Sequence, residues 1–387
     1  MKKYAVLLLT ALLTGCTPLS ESNIRTVSDI SPDEMPTYQQ EYQQLHIEQP
    51  NTDKALNSIK QTGLWLPYMH YDEYLTGKSE DEFRAAVHEM YASAKNEGIN
   101  TLYLHVHPCG DAYYVSDIFP RGTLWDSSFD PLEIMLEEAH SVGLSAHAWI
   151  NPLRLQTDEQ MAELPDDLIT KQWAENAGNS PAKLVNGRWY LDPSYPETDE
   201  LLSRCIEEIL SRYDVDGIHI DDYFYPTAEP DFDEAEFAAS GAEDLAEWRL
   251  ANCTRMVKNM YDTVKSHDSQ LLFGISPQGS IAGNYTSQFA DVKLWAGTPG
   301  YCDYIVPQLY FGFLNECCPF LETLSLWEEM TAPEVSLIIG LGEYKLGKPD
   351  KWAGIAGEQE WVDSPDIIER QKAAVLASSA NGYALYR

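Results

Sequence analysis

Positive charge is what this chain has least of. Its 387 residues carry 26 Lys and Arg against 61 Asp and Glu, a formal net charge of -35. That excess repels phosphate backbones and anionic lipid, so nucleic-acid binding is not expected, and the acids read first as a solvated surface. Long apolar runs are missing too: no segment approaches the roughly 18 consecutive apolar residues that a membrane-spanning helix needs. Cysteine is sparse and scattered, with no CxxC pair and no Cys/His spacing suited to zinc, so neither a metal site nor a disulfide framework is expected. HExxH, P-loop and GxSxG motifs are absent. This removes the commonest metalloprotease, nucleotide-binding and serine-hydrolase readings, and no cofactor is expected.

The N-terminus carries a short export-like pattern. Lys2 and Lys3 precede an apolar run from Ala5 to Leu13, followed by Leu13-Thr14-Gly15-Cys16. The last four resemble a bacterial lipobox, which implies lipidation of Cys16. Residues 1–16 are expected to be a lipoprotein signal peptide. Residues 17–60, rich in Ser, Pro, Asp, Glu and Gln, are expected to be a spacer, and 61–387 the folded domain. Such a protein sits in the cell envelope on the exported side, touching the membrane through its lipid only.

From residue 63 a pattern repeats. Strand-like apolar runs occupy 63–69, 100–106, 145–151, 217–223, 271–277, 303–310, 335–344 and 382–387, and most are continuous rather than alternating. Continuous runs suit parallel strands covered on both faces. Helical patterns lie between them. Asp130-Pro131-Leu132-Glu133 opens one with a capping acid and a first-turn proline, and Leu201, Cys205, Ile209 and Tyr213 mark the buried stripe of another. Alternating strands and helices in this number predict an α/β (β/α)₈ TIM barrel with extended βα loops. An open doubly wound sheet would want a Gly-rich phosphate turn after the first strand, and "GLWLPYMHYDEY" has none. The sequence ends within the eighth strand-like run, so no eighth helix is expected.

Barrel chemistry collects at the C-terminal ends of the strands. The fourth run ends His219-Ile220-Asp221-Asp222-Tyr223. Strict alternation puts His219, Asp221 and Tyr223 on the inner face and turns Asp222 outward, toward a helix cap or a basic partner. An unpaired carboxylate is costly in dry core, so Asp221 is read as reaching the mouth; the alternative is a structural acid held by backbone amides. The third run ends Trp149-Ile150-Asn151-Pro152-Leu153-Arg154: a sugar platform with an amide and a guanidinium, or, for Trp149, a core filler. The second runs into a long loop with His107, Asp111, Tyr113 and Tyr114, where His107 is either a ligand-binding base or structural. The sixth supplies Gln308 and Tyr310, and the seventh supplies Glu343. Carboxylates among amides and aromatic rings are the equipment of glycoside hydrolysis: one acid protonates the leaving oxygen, and a carboxylate attacks the anomeric carbon or activates water.

Several stretches, in order, resemble the bacterial glycosyl hydrolase-like 10 family, once called domain of unknown function 187. They are Gly63-Leu64-Trp65, Asn100-Thr101, "GDAYY" with Ser116, Phe119 and Pro120, "FDPLE", "HAWINPLR", "DGIHIDDYFYP", "FGISP" and "PQLYF", covering residues 63–387. The resemblance implies a TIM-barrel glycoside hydrolase of the cell envelope, with a branch that cleaves peptidoglycan strands stripped of their stem peptides. It also implies Asp221 as catalytic acid and a sugar groove lined by Asp111, Trp149, Asn151, Arg154 and Gln308. His107 stands where the family usually has arginine, and Met69-His70 where many members carry an acid. "DGIHIDDYFYP" also looks like the signature of family 18 glycoside hydrolases, but Tyr223 stands where their glutamate donor would be, and a phenol of pKa about 10 is a poor general acid. The expectation is therefore a hydrolase of cell-wall glycan, catalysed by Asp221 with a second carboxylate from Asp222, Glu343 or Asp111. His107, His219, Tyr223 and Tyr310 join the groove as substrate contacts. The alternatives are a non-catalytic carbohydrate-binding lipoprotein on a degenerate barrel and a hydrolase of exogenous polysaccharide.

Overall fold

The computed structural model of the chain describes residues 60–387, apart from Ala177 and Asn179. Cys16, the signal-like segment and the spacer up to residue 59 lie outside the described residues. Eight parallel strands close into a barrel: β1 (Gln61–Leu66), β2 (Thr101–His107), β3 (Ser145–Ile150), β7 (Gly217–Ile220), β8 (Leu272–Ile275), β9 (Tyr304–Ile305), β10 (Ser336–Gly342) and β11 (Gly382–Tyr386). The order around the barrel is β1-β11-β10-β9-β8-β7-β3-β2. β2 and β10 are buried at every position, as both-face covering requires. Each strand matches one of the expected runs, although β9 is trimmed to two residues. Beyond it, Gln308 keeps isolated bridges to Gln278 and Gly340. Among the described residues no helix follows β11.

The outer helices form where the sequence supplies a buried stripe and a cap. Glu80–Asn96 starts at a capping box between Ser79 and Glu82. Pro131–Ser141 starts at Asp130, whose side chain accepts the amides of Leu132 and Glu133. Such caps are worth about 1 kcal/mol each. Pro196–Arg212 buries Leu201, Cys205 and Ile209 and packs beside Leu245–His267. Leu245–His267 buries Met256, Met260 and Val264.

One further sheet interrupts the alternation. After β3 the chain makes β4 (Arg154–Thr157), β5 (Ala182–Val185) and β6 (Arg188–Leu191), antiparallel in the order β4-β6-β5. It stands at the C-terminal end of β3, on the active side of the barrel, and carries Arg154 and Arg188.

The barrel interior is aromatic and polar at once. Tyr103 stacks on His219 with centroids 4.1 Å apart, and the Tyr304 ring lies beside both, 5.9 Å from His219 and 6.2 Å from Tyr103. The rings fit because the neighbouring strands offer glycine: a Cβ on Gly274 would stand 1.9 Å from the Tyr304 ring, and one on Gly63 2.7 Å from Tyr103. Hydrogen bonds run through the stack. The Trp65 indole donates to Nε2 of His219 at 3.0 Å, which makes that nitrogen an acceptor and places the His219 proton on Nδ1. His219 Nδ1–H donates to the Tyr304 hydroxyl at 3.2 Å, and that hydroxyl donates to Nδ1 of His147 at 2.7 Å. Burial holds both imidazoles below the ordinary histidine range, His147 near 4, so both are neutral links.

Tyr304→Phe removes the hydroxyl both histidines use and leaves two buried ring nitrogens unsatisfied. We expect a loss of about 1–3 kcal/mol in urea unfolding with an unchanged slope. A variant as stable as the parent would show that the network contributes nothing.

Candidate active site

The site is set by where β7 stops. Its residues Gly217–Ile220 are fully buried, clamped between β3 and β8. Because the strand ends at Ile220, alternation ends with it. Asp222 does not turn outward as expected: its Oδ1 accepts from Nε2 of Gln308 at 3.3 Å, and Gln278 also hydrogen-bonds to it. Both carboxylates therefore belong to the barrel mouth. Gln308 is fixed in turn by donating to the carbonyl and hydroxyl of Ser276, at 3.2 and 3.3 Å.

Asp221 is 3 % exposed. Its Oδ2 accepts the Trp149 indole N–H at 3.1 Å and its Oδ1 the Tyr223 amide at 3.3 Å. Burial, and then the charge of Asp222, push Asp221 well above the ordinary carboxylate range, against the Tyr223 amide, Trp149 and Arg154. Burial also raises Asp222, but the amides of Gln308 and Gln278 and the field of Arg154 favour its charge. Two adjacent acids thus have unequal surroundings, and Asp221 holds its proton more firmly than Asp222.

Beneath them, Trp149 and Asn151 serve the acid rather than a sugar. Trp149 is 6 % exposed, with His105 stacked on its face at 3.6 Å. Asn151 is fully buried. Its Oδ1 accepts from Trp149 at 3.1 Å and its Nδ2 donates to the Pro108 carbonyl at 3.0 Å. Both depart from the expected sugar contacts, because their polar groups are already committed to orienting the indole N–H toward Asp221.

The rim has two characters. On one side Tyr310, Tyr344 and Tyr386 pack together, with Tyr310 and Tyr386 stacked at 6.1 Å. Burial and the fields of Asp221 and Asp222 push the Tyr386 phenol up to about 12, so it stays protonated beside the acids. On the other side Arg154 lies over the exposed Tyr223 ring, 4.8 Å from its centroid. Asp111 sits near it, raised to about 6 by burial, with its Oδ1 accepting the Cys109 amide at 2.9 Å.

Three expected residues stand elsewhere. His219 is fully buried in the barrel stack below the acids, both nitrogens engaged. His107 is 1 % exposed; its Nδ1 bonds to the Asp111 carbonyl at 2.8 Å and its ring packs on Phe119, so it braces the loop. Glu343 turns away from the mouth because it follows β10 on the outward side. It pairs with Arg387 at 3.1 Å in a groove of about 450 Å³ shared with Glu97, Glu369 and Lys372. The next residue, Tyr344, packs with Tyr310 and Tyr386 and feels the charge of Asp222. Gln278, His105, Tyr386 and Tyr68, whose ring stands edge-on to His105 at 5.4 Å, are site residues the sequence did not single out. Gln278 was visible at the end of a strand, but a search for acids passes over an amide that orients one. Among the described residues no group of His, Cys, Asp and Glu is arranged to hold a metal ion.

The same barrel recurs in solved glycoside hydrolases. The glycoside hydrolase domain of PgaB (BpsB) from Bordetella bronchiseptica aligns with a TM-score of 0.57 at 11% identity, over 85% of this chain and 94% of that one. Alpha-L-fucosidase isoenzyme 2 from Paenibacillus thiaminolyticus aligns at 0.55 and 15%, over 85% and 46%. At such identities the likeness is one of fold. Among curated relatives, the glycosyl hydrolase DigH of Escherichia coli (strain K12) is 29% identical over 312 residues, 71% of this chain and 68% of that protein. The glycosyl hydrolase YngK of Bacillus subtilis (strain 168) is 29% identical over 302 residues, 70% of this chain and 58% of that protein. The profile of the glycosyl hydrolase-like 10 family matches residues 62–363, nearly the whole barrel, and the chain belongs to that family of glycoside hydrolases.

Proposed function

We propose that this protein hydrolyses the glycan strands of peptidoglycan, with Asp221 as general acid and Asp222 as the second carboxylate. The observation that carries the reading is the unequal acid pair at the end of β7. Asp221, kept neutral by burial, gives its proton to the glycosidic oxygen as the bond to the anomeric carbon breaks. Asp222, whose charge Gln308 and Gln278 favour, meets the developing positive charge, attacking the anomeric carbon or taking a proton from water. The tyrosine wall offers ring faces to the pyranose. The glycan itself is proposed from the family resemblance and from the lipobox-like segment, which would hold the enzyme beside the cell wall. On this reading the chain is exported and anchored through lipidated Cys16.

Asp221→Asn is expected to lower turnover on peptide-free glycan strands by roughly 10²–10⁴-fold. The variant should also fold more stably. A folded-state pKa raised above the unfolded value near 3.9 means that stability is full below that value and lost as pH rises through the folded pKa. The gain from Asp221→Asn should therefore grow with pH. Unchanged turnover in a folded variant removes Asp221 from the chemistry. Turnover of other glycans but never of these strands sinks the substrate.

Cys16→Ser should move the protein from the membrane fraction to the soluble exported fraction. Membrane retention of that variant would overturn the lipid anchor.

A further inference from the structure

We propose that Arg154 makes the mouth selective for a sugar that carries a carboxylate. The inference rests on the mouth being the glycan site and adds what part of the glycan is read there. Arg154 opens β4, just past the end of β3, and its half-buried guanidinium lies on Tyr223. Its Nε–H is buried without a hydrogen-bond partner, and no carboxylate among the described residues pairs with it. Cys109, Tyr223, Tyr68 and Tyr190 surround it with groups that are uncharged at neutral pH, and the carboxyls of Asp111, Asp221 and Asp222 feel its charge without forming an ion pair with it. This is unlike the other buried guanidinium of the fold. Arg249 is fully buried, and it forks onto both oxygens of Asp233 at 2.6–3.1 Å.

An unpaired guanidinium is costly to bury, and in a chain with a formal net charge of -35 a carboxylate partner is easy to supply. Leaving Arg154 free suits a partner that arrives with the substrate. The neighbouring acids make the same demand. Asp111, Asp221 and Asp222 all feel the Arg154 charge, which offsets the acidity an anionic sugar would otherwise meet at the mouth. Arg188, half-buried on β6, adds a second positive field at Asp111. A planar fork resting on a tyrosine face is preorganised for bidentate binding of a carboxylate. Two glycan carboxylates share that chemistry: an ether-linked lactyl arm of the muramic type and a uronic acid. A lactyl arm amidated to a stem peptide offers no charge, so Arg154 would favour strands whose peptides have been removed.

The test measures affinity in the Asp221→Asn protein, where turnover does not intrude. One arm compares a peptide-free glycan tetrasaccharide with the same molecule after its carboxylates are reduced to alcohols. The other compares a uronic acid oligomer with its neutral hexose counterpart. We expect the acidic member of at least one pair to bind tighter by on the order of tenfold or more. The pair that shows the gap names the carboxylate. Adding Arg154→Gln should abolish the gap, and Arg154→Lys should restore part of it. No gap in either arm, or a gap that survives Arg154→Gln, overturns the proposal. A parent protein that cuts none of these strands yet keeps the gap overturns the hydrolysis reading and supports the subsite.

Discussion

Burial of one carboxylic acid at the end of β7 is the constraint around which the rest of the site is arranged. Asp221 stands at the boundary between a packed aromatic interior and the mouth, 3 % exposed. There the charged form is disfavoured by loss of water, and its neighbour disfavours it again. The surroundings do not reverse this. They give Asp221 two hydrogen-bond donors and give Asp222 two side-chain amides. The result is an unequal pair in which Asp221 holds its proton more firmly than Asp222, and on the proposed reading that inequality divides the work of acid and carboxylate in glycoside hydrolysis.

The interior below explains how so polar a layer can support the site. His147, His219 and Tyr304 are all fully buried, yet each imidazole is neutral and the hydroxyl links them. Glycines on neighbouring strands make room for the rings. Above that layer, His105 and Asn151 fix the Trp149 indole, and the indole fixes Asp221. The chain of contacts from packing to proton is short. A disturbance in the stack should therefore reach the acid through Trp149 rather than through the backbone alone.

Much of the fold was legible, because continuous apolar runs separated by capped helices are a direct consequence of covering parallel strands on both faces. The small sheet was not read, although its signal was present: Asn186-Gly187 joins β5 to β6 with φ of 49° and 79°, the backbone that an Asn-Gly hairpin turn adopts. Its strands are only 4 residues each, so periodicity alone passes over them. Within the site, Asp221 was legible from its place after an apolar run, and Gln308 and Arg154 from their strand ends. Asp222 was misplaced because alternation predicts a facing only while the strand lasts, and β7 ends before it. Glu343 was chosen for its residue type at a strand end, which does not say that the side chain turns to Arg387. His107 and His219 were misread because a histidine's residue type does not reveal whether its nitrogens are already engaged.

The most direct test of the account is the titration of the two aspartates themselves, followed by carboxyl ¹³C NMR and assigned with Asp221→Asn and Asp222→Asn. The account predicts one carboxyl, Asp221, that keeps its proton well above the value of about 3.9 for a free aspartate. In Asp222→Asn it should fall but not return to that value, because burial outweighs the neighbouring charge. Two carboxyls that both ionise near the free value would contradict it, since no neutral acid would then stand at the end of β7.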